Sequence, residues 1–311
     1  MKKLLIILSV MIVAAAVGGY YTFPEKVADY LISYGRHNAG LIKKDINIDK
    51  HKIVYLESKR GKETILLLHG YSANKYNWLL FSSYLKDFHL VIPDIPGYGE
   101  SSKLIDEKYD VANQIERLHN FCQEIKINKF HIVGNSMGGW FAGAYAVRFP
   151  AEVLSVGLFD AAGVKSPQPS EVMKIMQTGE NPLLLKNEND YSRLMSLIFA
   201  NPPFTPYPIK KMFIHEALTN KNFYEKTMNE IAPDIFSLEE NLPKIKAPAL
   251  IVWGDKDRII DISSVTVFEK GLKNSKTVII NNCGHAPMLE KHHQAATAYL
   301  AFIKSIKNQK Y

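Results

Sequence analysis

No stretch of this chain limits its folding options as tightly as "HIVGNSMGGW", residues 131–140. Within it Gly134, Asn135, Ser136, Met137 and Gly138 form a Gly-x-Ser-x-Gly run. Such a run has a mechanical meaning only between a strand and a helix, where it forces a sharp turn that pushes the serine hydroxyl outward. Both neighbours qualify. Residues 130–133 are short and β-prone, as a buried strand is, and residues 139–147, "GWFAGAYAV", are small and apolar, as suits a helix laid against a sheet. A serine at the apex takes a strained backbone conformation, so bulk at Gly134 or Gly138 would collide with the turn. Taken alone, the run also fits a glycine-rich βα turn with an incidental serine, and the rest of the chain has to decide.

The remaining pattern is an alternation. Residues 51–57 and 64–69 read as strands, 78–85 as a helix, 89–94 as a strand and 111–125 as a helix. The elbow and its helix follow, and "LSVGLFDAAG" is another strand ending near Asp160. Alternation of this kind predicts a mostly parallel sheet with helices on both faces. It lapses over 164–243, a helical, proline-punctuated stretch rich in Met, Leu, Ile and Phe. It resumes with "APALIVWGDKD", "KTVIINNCGH" and a C-terminal helix from about Gln294. One sheet, built from 50–163 and 244–311 and interrupted by a helical cap over 164–243, explains this better than two independent domains. The apolar side chains of "LMSLIFANPPF", with Leu197 and Ile198 at their centre, make the cap a candidate lining for an apolar substrate.

At the N-terminus Lys2 and Lys3 precede residues 4–24, which carry no charge. About 20 such residues span a bilayer. Three readings stand: an uncleaved single-pass anchor, a signal peptide cleaved after its small alanines, and a buried first helix. The anchor is favoured because Tyr20, Tyr21 and Phe23 prolong the apolar run past the alanines and suit the headgroup interface. The paired lysines would then stay cytoplasmic and the folded part would lie on the other side of the membrane. Residues 25–49 read as a juxtamembrane helix and connection. The formal charge of +7 is spread without a basic block or RNA-binding motif, so no nucleic-acid partner is expected. Cys122 and Cys283 suggest neither a metal cluster nor a disulfide framework, and one bridge stays open.

A nucleophilic serine needs a base, a carboxylate to orient that base, and fixed N–H donors for the oxyanion. His285, in "NCGHAPMLE" after the last predicted strand, stands where a loop could carry its imidazole to Ser136, and it completes the order Ser, acid, His. Asp255 and Asp257 in "WGDKDRIID" and Asp160 after "GLFD" are the candidate acids. In "LLLHGYSAN", Gly70 lets the backbone approach a substrate and Tyr71 could offer its N–H; Met137, just after the nucleophile, is the second donor.

With "HGYSANKYNW", "PDIPGYGESS", "VGNSMGG", "NFYEKTMNEI", "IVWGDKDRIIDIS" and "NCGHAPMLE", the chain resembles the α/β-hydrolase fold family over residues 50 to 305. Within it the chain is most similar to membrane-anchored monoacylglycerol lipases and related bacterial lipases. The resemblance implies that the acid is Asp257, third after the glycine of the Trp-Gly stretch, and that Tyr71 and Met137 are the oxyanion donors. Many relatives carry phenylalanine at the position of Tyr71, whose hydroxyl could change the polarity of an acyl pocket. The expected activity is serine-dependent hydrolysis of lipid-like acyl esters, monoacylglycerols among them, through an acyl-enzyme, with no metal or organic cofactor. The rivals are a carbon–carbon bond hydrolase of the same fold and a non-catalytic, hydrolase-like binding protein.

Overall fold

The structure is a computed structural model that describes Leu5, Ser9, Met11 and residues 17–308. Its strands are β1 (Ile42–Ile48), β2 (His51–Glu57), β3 (Thr64–Leu68), β4 (His89–Pro93), β5 (Phe130–Asn135), β6 (Val153–Phe159), β7 (Ala249–Gly254) and β8 (Ser275–Ile280). They form one sheet in the order β1-β2-β4-β3-β5-β6-β7-β8. β1–β2 and β2–β4 pair antiparallel, and every pair from β4 to β8 is parallel. The chain moves outward from β3 to β4, then crosses back over β3 to lay down β5. That reversal opens a crevice beyond the carboxyl ends of β3 and β5, where open α/β sheets bind ligands. Helices cover both faces, which is why β3, β5 and β7 are buried along their whole length and read as near-continuous apolar runs.

The helices follow from local signals. α1 (Pro24–Ala39) has proline in its first turn and ends on Gly40 at φ 69. α2 (Val111–Glu124) is capped by the Asp110 side chain, which accepts the Asn113 N–H at 2.9 Å, and buries Val111, Ile115, Leu118 and Phe121 on one stripe. α3 (Met137–Arg148) follows the elbow. The cap between β6 and β7 holds α4 (Glu171–Met176), α5 (Asp190–Ile198), α6 (Tyr207–Thr219) and α7 (Lys221–Ile231). α8 (Ser264–Gly271) and α9 (His292–Asn308) complete the sheet layers.

Two expectations need correction. Residues 25–49 are not only helix and connection, because β1 occupies their second half and pairs with β2 from Ile42 opposite Glu57 to Ile48 opposite His51. β1 is an edge strand with a partly exposed, lysine-bearing face, so its sequence "IKKDINI" lacks the apolar run that marks the buried strands. The expected helix over 78–85 is instead a 3₁₀ turn, Lys75–Trp78, and a single α-turn, Leu79–Ser82. It closes with i→i+3 bonds from Tyr84 N to Phe81 O and from Leu85 N to Ser82 O.

The anchor or signal expected over residues 1–24 falls largely outside the described residues; among those described, no helix is long and apolar enough to cross a membrane. Cys122 and Cys283 are both buried and unpaired.

Candidate active site

Ser136 sits between β5 and α3 at φ 57 and ψ −121, a conformation that costs a non-glycine residue of order 1–3 kcal/mol. Its neighbours hold it there. The Ser136 N–H donates to Phe159 O at 3.0 Å, and its carbonyl accepts from Ala162 N at 3.0 Å and Trp140 N at 3.1 Å. The flanking glycines are required by space. A Cβ on Gly134 would stand 2.0 Å from the Gly138 carbonyl oxygen, and one on Gly138 would stand 2.3 Å from Leu68 O. With the backbone consumed, the Ser136 hydroxyl is left without a hydrogen-bond partner among the described residues and faces a cavity of about 540 Å³.

The loop after β3 supplies the opposite wall. A Cβ on Gly70 would lie 3.3 Å from the Ser136 Cβ, a contact tight enough that the elbow would have to give by a few tenths of an ångström, so glycine suits this close approach. The fully buried His69 sets the orientation of the next peptide. Its Nε2 accepts the Ile95 N–H at 3.0 Å, which leaves the ring proton on Nδ1 to be donated to Gly70 O at 2.8 Å. Burial favours this neutral ring by pushing the His69 pKa down. In a planar trans peptide the carbonyl and the following N–H point in opposite directions, so holding the Gly70 carbonyl turns the Tyr71 N–H the other way. Among the described residues neither the Tyr71 nor the Met137 N–H donates to a partner. Met137 N opens a twelve-residue helix, whose dipole favours negative charge there.

His285 arrives on the loop after β8. Its backbone is pinned on both sides, by its N–H to Ile198 O at 2.7 Å and by its carbonyl accepting from Asn135 Nδ2 at 2.9 Å. Its Nδ1 lies 2.8 Å from Asp257 Oδ2. The other Asp257 oxygen accepts the N–H groups of Ile259 at 2.8 Å and Ile260 at 3.0 Å. His285 Nε2 has no hydrogen-bond partner among the described residues, and the ring lines the same cavity as Ser136. Of the other acids, Asp255 accepts the Cys283 N–H at 3.3 Å and pairs loosely with Lys256. Asp160 is fully buried and contributes to a cluster with Asp257 and His285 whose facing atoms all lie within 4.8 Å. Asp257 and His285 bond each other and the backbone, whereas among the described residues the Asp160 side chain accepts only the Gly254 N–H, through Oδ1.

The cavity is lined by the cap and, unexpectedly, by α1. Ile198, Leu194 and Phe199 face it, whereas the neighbouring Leu197 is buried at 2% exposure and is not part of its wall. Leu31 and Ile32 of α1 complete the apolar side.

Sequence reasoning overlooked several supporting groups. Lys75 is entirely buried, 2.6 Å from Asp94 and 2.8 Å from Glu100, behind the Gly70 loop. Glu290 accepts the N–H groups of Gly284 and Asn201, each at 2.7 Å, and so ties the His285 loop to the cap. Nothing in local spacing marks such residues, since Asp94, Glu100 and Asn201 lie 19 to 89 residues from the groups they bond.

Comparison with known proteins bears on the family to which this fold belongs. Residues 63–292 match a family model described as the alpha/beta hydrolase fold. The chain is 33% identical to Lipase 1 of Psychrobacter immobilis, covering 90% of each chain. It is 30% identical to monoacylglycerol lipase ABHD6 of Mus musculus, covering 95% of this chain and 92% of that one. A solved structure described as a membrane phospholipase A and bacterial virulence factor superposes with a TM-score of 0.89 at 38% identity, covering 99% of this chain and 100% of the other.

Proposed function

The chain belongs to the α/β-hydrolase family as a carboxylic ester hydrolase, and on that premise we propose that it cleaves lipid-like acyl esters, monoacylglycerols among them, through Ser136, His285 and Asp257. The observation that carries this reading is the 2.8 Å bond from His285 Nδ1 to Asp257 Oδ2 beside a strained, unpartnered Ser136 in one apolar cavity. His285 Nε2 takes the hydroxyl proton as Ser136 attacks the ester carbonyl, and Asp257 fixes the ring tautomer and stabilises the imidazolium. The Tyr71 and Met137 N–H groups receive the developing oxyanion. His285 then returns the proton to the departing alcohol, and water releases the acid from the acyl-enzyme by the same relay in reverse. The apolar wall of cap and α1 suits an acyl chain and counts against small, acidic carbon–carbon bond substrates.

The test is a fluorophosphonate probe and a panel of acyl esters applied to the wild-type enzyme and Ser136→Ala. Labelling and hydrolysis should both disappear in a folded variant. Comparable turnover by that variant would remove the serine from the mechanism. The same reading puts the enzyme on a membrane through residues 1–24, with the catalytic domain on the non-cytoplasmic side, supported by the uncharged run behind Lys2 and Lys3. Full-length protein should resist salt and carbonate extraction and dissolve in detergent; a freely soluble mature chain beginning near Val17 would make the segment a cleaved signal.

A further inference from the structure

Asp160 is a fully buried titratable group beside Asp257 and His285 that the mechanism above does not use. It directly follows β6 at φ 45, in the left-handed region that a non-glycine residue seldom adopts. Its N–H donates to Val252 O at 2.9 Å, and its Oδ1 accepts the Gly254 N–H at 2.9 Å. Its Oδ2 is buried, and no donor reaches it among the described residues. The groups facing it are the Asp257 carboxylate and the His285 ring, with Glu290 and the buried Cys283 thiol further round. Among the described residues, no lysine or arginine forms an ion pair with Asp160 or Asp257.

Two adjacent carboxylates without a cation cannot both be ionised cheaply, so one of them holds a proton. The hydrogen bonds say which. Asp257 already accepts from Ile259 N, Ile260 N and His285 Nδ1, whereas Asp160 has one oxygen with nothing to accept. We infer that Asp160 is a neutral carboxylic acid whose O–H donates to the Asp257 carboxylate, making it a positioning residue for the Asp257–His285 pair. Burial, and after it the negative charge of Asp257, pushes the Asp160 carboxyl well above the ordinary carboxylate range. The proton converts an unsatisfied buried acceptor into a donor, which relieves the cost of leaving such an atom unpaired. It also gives Asp257 a fourth hydrogen bond without adding charge beside the imidazolium.

This inference rests on the proposed roles of Asp257 and His285, and its test separates the two. In Asp160→Asn the amide nitrogen can donate to Asp257 while its oxygen still accepts the Gly254 N–H. A neutral group then replaces a neutral group. Turnover should stay within about threefold of wild type, and the midpoint of the acidic limb of the rate profile within about 0.3 pH unit. If Asp160 were ionised, the same change would delete a negative charge within 4.8 Å of the imidazole cluster and lower that midpoint by about a unit or more, which would overturn the inference. Asp160→Ala removes the donor and should reduce kcat about tenfold or more with little change in KM; turnover equal to that of the Asn variant would show that the donated bond does nothing for catalysis. Infrared difference spectra of resting wild type against Asp160→Asn should contain the C=O stretch of a protonated carboxylic acid at neutral pH, and its absence would sink the proposal even if Asp160→Ala failed to fold. That band does not depend on Ser136, so an error in the triad reading and an error in the protonation of Asp160 give different results.

Discussion

The phenolic hydroxyl of Tyr71 donates to the backbone carbonyl of Tyr224 at 2.7 Å, and this bond fastens the loop after β3 to cap helix α7. The ring is held as well. Its centroid lies 6.0 Å from that of Tyr98 and 6.2 Å from that of Tyr224, and those two rings stack 5.5 Å apart. The hydroxyl anticipated as a change in acyl-pocket polarity is therefore spent on joining cap to core. Burial pushes its pKa up, so it remains a donor throughout the working pH range.

Tyr71→Phe should consequently cost stability more than activity. The Tyr224 carbonyl keeps the Thr227 hydroxyl as a donor at 3.0 Å, so the loss should be about 1 kcal/mol or less. Ester turnover should remain within a few-fold of wild type, because the proposed oxyanion donor is a backbone N–H. Denaturant melts and steady-state kinetics on the same preparation check both halves, and a hundredfold loss of kcat would give the hydroxyl a direct part in the reaction.

Asp257→Asn should lower turnover by about 10² to 10⁴, since the amide favours the wrong imidazole tautomer and removes the charge beside the imidazolium. Asp255→Asn should cost far less, because its carboxylate faces the Cys283 N–H and Lys256 rather than the ring. Turnover of the two folded variants under one condition ranks them, and a larger loss at Asp255 would overturn the assignment.

Ile198→Trp should shift preference toward shorter acyl esters, because the Ile198 side chain lines the cavity. Leu197→Ala should leave the chain-length profile unchanged and instead destabilise the cap by about 2–5 kcal/mol, as deletion of a buried leucine does. A chain-length series of p-nitrophenyl esters, paired with thermal melts, distinguishes the two. An unaltered profile in several bulky Ile198 variants would make the cap a structural cover only.

Stability should depend on pH through Glu100. Its burial works to raise the pKa, but hydrogen bonds from Lys43, Lys75 and Tyr76 prevail and bring it down to about 2. A carboxyl depressed in the folded state stabilises above its unfolded pKa, about 4.3, and that contribution fades as pH falls toward 2. The Glu100 side chain is 43% exposed, so after allowance for screening the effect is on the order of 1 kcal/mol. Glu100→Gln should therefore melt earlier than wild type at pH 6 to 7, with the gap closing between about pH 4 and 2. A gap that stays constant across that range would show that packing, rather than charge, is lost.

What the sequence determined by itself is whatever is encoded over a few neighbouring residues. The elbow at Gly134–Gly138 is legible because steric demand at two glycines and a strand-to-helix switch are local properties, and the parallel core is legible because strands buried on both faces are written as unbroken apolar runs. The edge strand β1 escaped because a half-exposed strand with lysines has no such run, and its identity depends on β2 being there to accept its hydrogen bonds. For the acid, local spacing left Asp160, Asp255 and Asp257 open, and family resemblance singled out Asp257. Only the tertiary structure brings the Asp257 carboxylate 2.8 Å from His285 and sets Asp160 beside both. The same holds for the buried Lys75 and for the α1 wall of the cavity. Each depends on which distant segments the sheet brings together, and the free energy of such contacts resides in burial and mutual hydrogen bonding that no single segment possesses before the chain has closed.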